Sequence, residues 1–183
     1  PAVFGRIGLS RATSVEAFYQ LRFEPTALNG CGTFFSSLDF MAEGCDKAMF
    51  GSLSDRAAIA TGIYVRRTAT QDPSDSGQGG IALKHTVDSW ATEFGLYATQ
   101  FHSRAPFYSG TKSGRVAGPL FLPGDPGNRN PTYFIEYPGD IRMFGATFES
   151  KWRGGVVLGE LTYRPNQPLQ YNAQDLLSAF VSN

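Results

Sequence analysis

The ten residues Val15 to Glu24, VEAFYQLRFE, alternate without a break, and no other stretch restricts the fold as strongly. Val15, Ala17, Tyr19, Leu21 and Phe23 fall on one side, and Glu16, Phe18, Gln20, Arg22 and Glu24 on the other. Successive side chains of a β-strand point to opposite faces, so the pattern predicts a strand with one apolar and one mostly polar face. About ten residues is also the length a tilted strand needs to cross the hydrocarbon core of a bilayer. The apolar face therefore meets either a soluble core or lipid.

The alternation recurs along the chain. Ala2 to Leu9 places Val3, Gly5, Ile7 and Leu9 on one side and pairs with the first stretch as a hairpin across Ser10 to Thr13. Further strands are expected over Gly80–Thr86, Thr92–Arg104, Tyr133–Ser150 and Val156–Arg164, with a short helix over Gln174–Phe180. Tyr133–Ser150 is interrupted at Pro138 and Gly139 and is most regular over Ile141–Phe148. In 92–104 the apolar face stays open, because Phe94 and Leu96 oppose Tyr97 and Phe101. The 21 glycines, 15 phenylalanines and 8 tyrosines suit strands and tight turns.

The connections alternate in length: short at 10–13, long at about 26–79, short at 87–91, long at about 105–132, short at 151–155, then long again after Pro165. Short turns on one rim and long loops on the other mark an outer-membrane barrel. A soluble sandwich would show turns about every 8–12 residues with no such parity. The fold expected is all-β: an antiparallel transmembrane β-barrel segment with short periplasmic turns and long extracellular loops. Residues 1–183 would form part of one barrel domain. Six strands fall short of the roughly eight needed for closure. The chain is therefore expected to be a fragment of a longer one, which fits a start at Pro1 with no visible signal peptide.

Composition narrows the function classes. Charged residues are 17% of the chain and the formal net charge is zero, which gives no basic patch for nucleic acid. No run of eighteen apolar residues exists to make a transmembrane helix. Cys31 and Cys45 bracket the loop-like stretch GCGTFFSSLDFMAEGC and read as a disulfide in an oxidising compartment, with two unpaired thiols as the alternative. No Cys/His spacing suggests a metal site, and no cofactor is expected.

Charged and polar residues on the strands are the candidate site. Glu16, Gln20, Arg22 and Glu24 on one strand, and Glu160, Thr162 and Arg164 on the last, are candidates to line a water-filled lumen. There they would pair across strands and set the field of a pore. The equal alternative is that they brace a plugged barrel. The acidic residues offer no matched carboxylate geometry for glycoside hydrolysis. His85 and His102 are lone histidines at strand ends and read as interfacial polar residues. Ser36, Ser37 and Ser54 lack a G-x-S-x-G setting, so no hydrolase is expected, and the protein is read as a non-enzyme. Tyr19, Phe23, Tyr97, Phe101, Tyr133, Phe134, Tyr137 and Tyr163 lie toward strand ends. They would form an interfacial girdle in a membrane protein, or core in a soluble one.

Six blocks carry a resemblance: EAFYQLRFEPT at 16–26, GCGTFFSSLDF at 30–40, DSGQGGIALKH at 75–85, TEFGLYATQFHSRAP at 92–106, YFIEYPGDIRMFGATFES at 133–150 and GELTYRPNQPLQYNAQDLL at 159–177. In these the chain resembles the central part of the Gram-negative outer-membrane family catalogued as domain of unknown function 1302. The resemblance implies a porin-like outer-membrane β-barrel that acts as a channel or transporter for hydrophobic or lipid-like small molecules. Its implied partners are membrane lipid, a hydrophobic cargo and periplasmic carrier proteins. The rival readings are a secreted, disulfide-stapled β-sandwich that binds a ligand, and a structural part of a cell-surface assembly.

Overall fold

The computed structural model describes residues 1–36 and 38–181. The chain folds as two compact units, each assembled from three separate segments. The first comprises Pro1–Glu24, Pro73–Ser103 and Pro138–Pro168, and the second Pro25–Asp72, Arg104–Tyr137 and Leu169–Asn183.

The first unit is a six-stranded antiparallel sheet. Its strands are β1 (Ala2–Gly8), β2 (Thr13–Gln20), β5 (Gln78–Val87), β6 (Thr92–Phe101), β9 (Ile141–Trp152) and β10 (Gly155–Tyr163), lying side by side in that order. Each expected strand region contributes to this sheet, but the run expected over Tyr133–Ser150 divides at Pro138 and Gly139: Ile141 onward joins this sheet, while Thr132–Glu136 pairs in a second one. The strands group as three hairpins, β1–β2, β5–β6 and β9–β10, each closed by a short link at one rim. At the β9–β10 link two residues, Arg153 and Gly154, both have positive φ (48° and 82°), the backbone of a type I′ turn that matches strand twist. At the other rim the chain leaves the sheet after Gln20, Phe101 and Tyr163. Both outer strands, β1 and β10, have one unpaired edge, and the sheet is open. The structure thus establishes a β-rich, antiparallel fold without a closed barrel among the described residues.

Register fixes the two faces. The row Ile7, Val15, Leu83, Leu96, Ala146, Leu161 crosses all six strands on one face. The row Gly8, Ser14, Lys84, Gly95, Thr147, Glu160 crosses on the other. The open question in 92–104 is settled by the same pairing: Phe94 and Leu96 share the apolar face, while Tyr97 and Phe101 share the polar one. Two aromatic rings lie over glycines on the paired strand. Phe18 covers Gly80, where an added Cβ would come within 2.7 Å of its ring, and Phe148 covers Gly159 in the same way.

Strand β2 stops three residues before Phe23. Leu21 still donates its backbone N–H to the Pro1 carbonyl at 3.0 Å, the chain then bends, and Phe23 is buried with its backbone N–H donating to the Asp75 carboxylate at 2.9 Å. Its ring meets His102 edge-on at 6.1 Å. A backbone bond with a side chain here ends the alternation that the sequence continues to Glu24.

The second unit is built from the two stretches expected as long loops, together with the chain end. It contains β3 (Lys47–Met49), β4 (Tyr64–Arg67), β7 (Phe107–Thr111) and β8 (Thr132–Glu136) in the order β3-β4-β8-β7. The β4–β8 pair is parallel, with Arg66 opposite Thr132. Helix α1 (Asp55–Thr61) starts at Ser54, whose hydroxyl accepts from the Ala57 N–H, and ends on Gly62 in the left-handed region. Helix α2 (Ala173–Val181) matches the expected short helix and packs Phe180 over Gly110 of β7. Val65, Tyr108, Tyr133, Ile135 and Phe180 form the core of this unit. Long segments that carry such side chains bury them rather than stay extended in water.

Candidate functional site

The candidate residues concentrate on the polar face of the first sheet. Glu16 sits midway along β2, with Arg6 of β1 directly opposite and Lys84 of β5 diagonally across. Its carboxylate accepts from Lys84 Nζ at 3.1 Å and lies 3.6 Å from Arg6 Nε. Arg6 also donates to the Ser14 hydroxyl at 3.4 Å. Alternation forces this grouping, because three polar residues on adjacent strands at matching register share one face. Partly exposed pairs of this kind contribute about 0.2–1 kcal/mol each.

The remaining lumen candidates divide. Gln20 pairs with Gln78 on the polar face at the rim where the chain leaves the sheet. Glu160 lies on that face in β10, opposite Thr147. Arg164 follows the end of β10 and reaches over the same face, its Nε donating to Met143 Sδ at 3.4 Å and its guanidinium 6.0 Å from the Phe101 ring. Arg22 and Glu24 are exposed and lie past the end of β2, off the sheet. Sequence reading missed Arg6 and Lys84, although the alternation of β1 and β5 places both on the polar side. It also missed Glu93 directly opposite Glu149 on that face. Like charges facing each other destabilise a sheet unless water screens them.

The opposite face carries no charge along its central row and is uncovered. Ile7 is 67% exposed, Ile81 54%, Leu96 58% and Leu161 74%. Toward the short-link rim Trp90 and Trp152 are also exposed. The aromatic residues expected to form one girdle separate instead. Tyr19 and Tyr163 lie on the apolar face, Tyr97 and Phe101 on the polar one, while Tyr133, Phe134 and Tyr137 belong to the second unit.

The two histidines also differ. His85 is exposed on the apolar face, its Nδ1 2.8 Å from the Thr13 hydroxyl. His102 is buried. Its Nδ1 accepts from the Asp140 N–H at 3.0 Å, so Nε2 carries the proton it donates to the Ser76 carbonyl at 2.9 Å. Around it Gln100 donates to the Gly77 carbonyl and to Asp140 Oδ1, and the Asn166 amide donates to the Asp140 carbonyl. This histidine ties the rim ends of β5, β6 and β9 together, which is a scaffolding role.

In the second unit, Cys31 and Cys45 are disulfide-bonded, with their Cα atoms 5.6 Å apart. The closed loop is held further by three backbone carbonyls. Phe40 accepts from the Tyr133 hydroxyl at 2.9 Å, and Met41 and Ala42 accept from the Arg67 guanidinium. Burial pushes the Tyr108 hydroxyl up to about 12, and that hydroxyl has no hydrogen-bond partner. Burial raises Tyr133 as well. Ser37 lies outside the described residues. No group of three or more His, Cys, Asp or Glu residues is arranged to hold a metal among the described residues.

A family model described as "Protein of unknown function (DUF1302)" matches residues 1–183. No curated protein and no solved structure matches the chain.

Proposed function

Because the chain belongs to the DUF1302 family of proteins of unknown function, we propose that its six-stranded sheet is a stretch of wall of an antiparallel β-barrel in a bacterial outer membrane. The protein then acts as a channel or transporter for hydrophobic or lipid-like small molecules, met by periplasmic carriers. The observation that supports this most is the two-faced sheet, with Ile7, Ile81, Leu96 and Leu161 uncovered on one side and Glu16, Lys84 and Glu160 on the other. In a soluble sandwich a second sheet would cover the apolar face. In an outer-membrane barrel lipid covers it, and charges of both signs face water inside. On this reading Glu16, Gln20 and Glu160 line the lumen, with Arg164 at its mouth.

Fractionation of cells that express the complete gene product tests the proposal. The expected result is recovery in the outer-membrane fraction, with a gel mobility that shifts on boiling. Conductance across planar bilayers that changes in Glu16→Gln and Lys84→Gln would support the lumen assignment. Recovery as a water-soluble periplasmic or secreted protein would overturn the barrel reading and favour the sandwich.

A further inference from the structure

The second unit contains a concave cleft of about 340 Å³. Its apolar walls come from Leu28, Phe35, Leu38, Met41, Pro106 and Ala173. That volume falls within the range of small-molecule sites, about 300–1,000 Å³. Among the described residues no member of the lining is charged.

The walls are held in place by bonds that need no guest. Phe35, Leu38 and Met41 lie on the loop closed by Cys31–Cys45, and the Asn29 amide donates to the Phe35 carbonyl at 2.9 Å. The facing wall includes Tyr108 of β7, an outer strand of its sheet. There the Gln170 side chain takes the place of a neighbouring strand. Its Oε1 accepts from the Tyr108 N–H at 2.6 Å and its Nε2 donates to the Tyr108 carbonyl at 3.0 Å. Each side-chain amide in the lining thus has a donor engaged, and of the two hydroxyls in the described lining that of Tyr108 is buried, which leaves Ser36 as the accessible one. A rigid apolar concavity binds an apolar guest without the cost of ordering its own loops.

We infer that this cleft is a binding site for an uncharged, mainly aliphatic small molecule with one hydrogen-bonding head directed to the Ser36 hydroxyl. A carboxylate or ammonium head would lose its water there and gain no counter-charge. The inference stands on the second unit alone and does not require the first to be a barrel wall.

The test is photolabelling of the oxidised full chain with a decanol that carries a diazirine. The protein is kept in solution with an amphipathic polymer, since a small detergent would compete. Labelled peptides covering 28–42 and 170–173 are expected, with labelling suppressed by unlabelled decanol and far less by decanoate or decylamine. Leu38→Trp, which fills the cleft, should reduce that labelling about tenfold or more. Val116→Ala, at a fully exposed side chain outside the lining, should leave it unchanged. Label confined to the strands of the first unit would overturn the inference while leaving the barrel reading intact. Equal competition by decanoate and decylamine would also overturn it. If Leu38→Trp does not fold, the competition series on the unchanged chain decides alone.

Discussion

Tyr108 and Tyr133 stand side by side in the second unit, their rings 5.3 Å apart, and their hydroxyls have opposite fates. Tyr133 donates to the Phe40 carbonyl, whereas the Tyr108 hydroxyl is buried with no partner. Removing a satisfied donor leaves a buried carbonyl bare, while removing an orphan relieves a desolvation penalty. Tyr133→Phe should therefore destabilise by about 1 kcal/mol, and Tyr108→Phe should be neutral or stabilising. Denaturant unfolding of both variants decides the matter, and the reverse order would refute this account. Burial also raises both phenols above their ordinary value near 10, Tyr108 to about 12. The neutral form is favoured in the fold, so this stability is complete below pH 10 and is lost as pH rises toward 12 and beyond. Unfolding midpoints that fall from about pH 10 upward, with a smaller fall in Tyr108→Phe, are the expected result. Neither role was legible in the sequence, where Tyr133 reads as part of an aromatic girdle. His102 was equally opaque, because its partners are backbone groups of Ser76 and Asp140, far apart along the chain.

At the scale of the element, the six strands of the first sheet were legible because each must sort side chains onto two unlike faces, a demand that writes period two into the sequence. Strands β3, β4 and β7 carry no such signature. They span three to five residues and gain their order from pairing with distant segments, β4 with β8 in parallel. The apolar face offers a direct test at Leu96, in the middle of its row. Leu96→Arg should cost about 2–4 kcal/mol if that face meets the bilayer midplane. Leu96→Trp should be tolerated, because lipid accepts added volume. A close-packed protein core would lose about 1–3 kcal/mol to the same overpacking. Folded yield and heat-shifted mobility report both variants, and failure of Leu96→Trp would count against lipid on this face. The β9–β10 link makes a separate prediction. Gly154 has φ 82°, which a β-branched residue adopts only with strain. Gly154→Val should destabilise by about 1–2 kcal/mol, whereas Arg153→Asn should be neutral or stabilising at φ 48°. Equal thermal stability of the two variants would argue against the turn as described.

For the whole molecule, the parity of short links and long excursions was readable, but the content of the excursions was not. Their side chains form a second folded unit with its own sheet and disulfide. If the sheet lies in an outer membrane, the segments that leave it beyond Gln20 and Phe101 emerge on the cell exterior. An epitope inserted beside Val116, which is fully exposed, should then be reached by antibody on intact cells. One inserted in the short link beside Arg11 should be reached only after the outer membrane is opened. The opposite pattern would refute the sidedness.

The threading of the chain has a further consequence. Each unit draws on three stretches that alternate along the sequence, so every stretch of one is flanked by a stretch of the other. No single proteolytic cut, nor any pair of cuts, can release either unit as one continuous peptide. The parallel pairing of Arg66 with Thr132 also waits on residues made after the first two hairpins are complete. A nascent chain halted before Thr132 therefore holds two hairpins and a bridgeable pair of cysteines but not the partner that β4 needs, and the first sheet is completed last, when β9 and β10 follow.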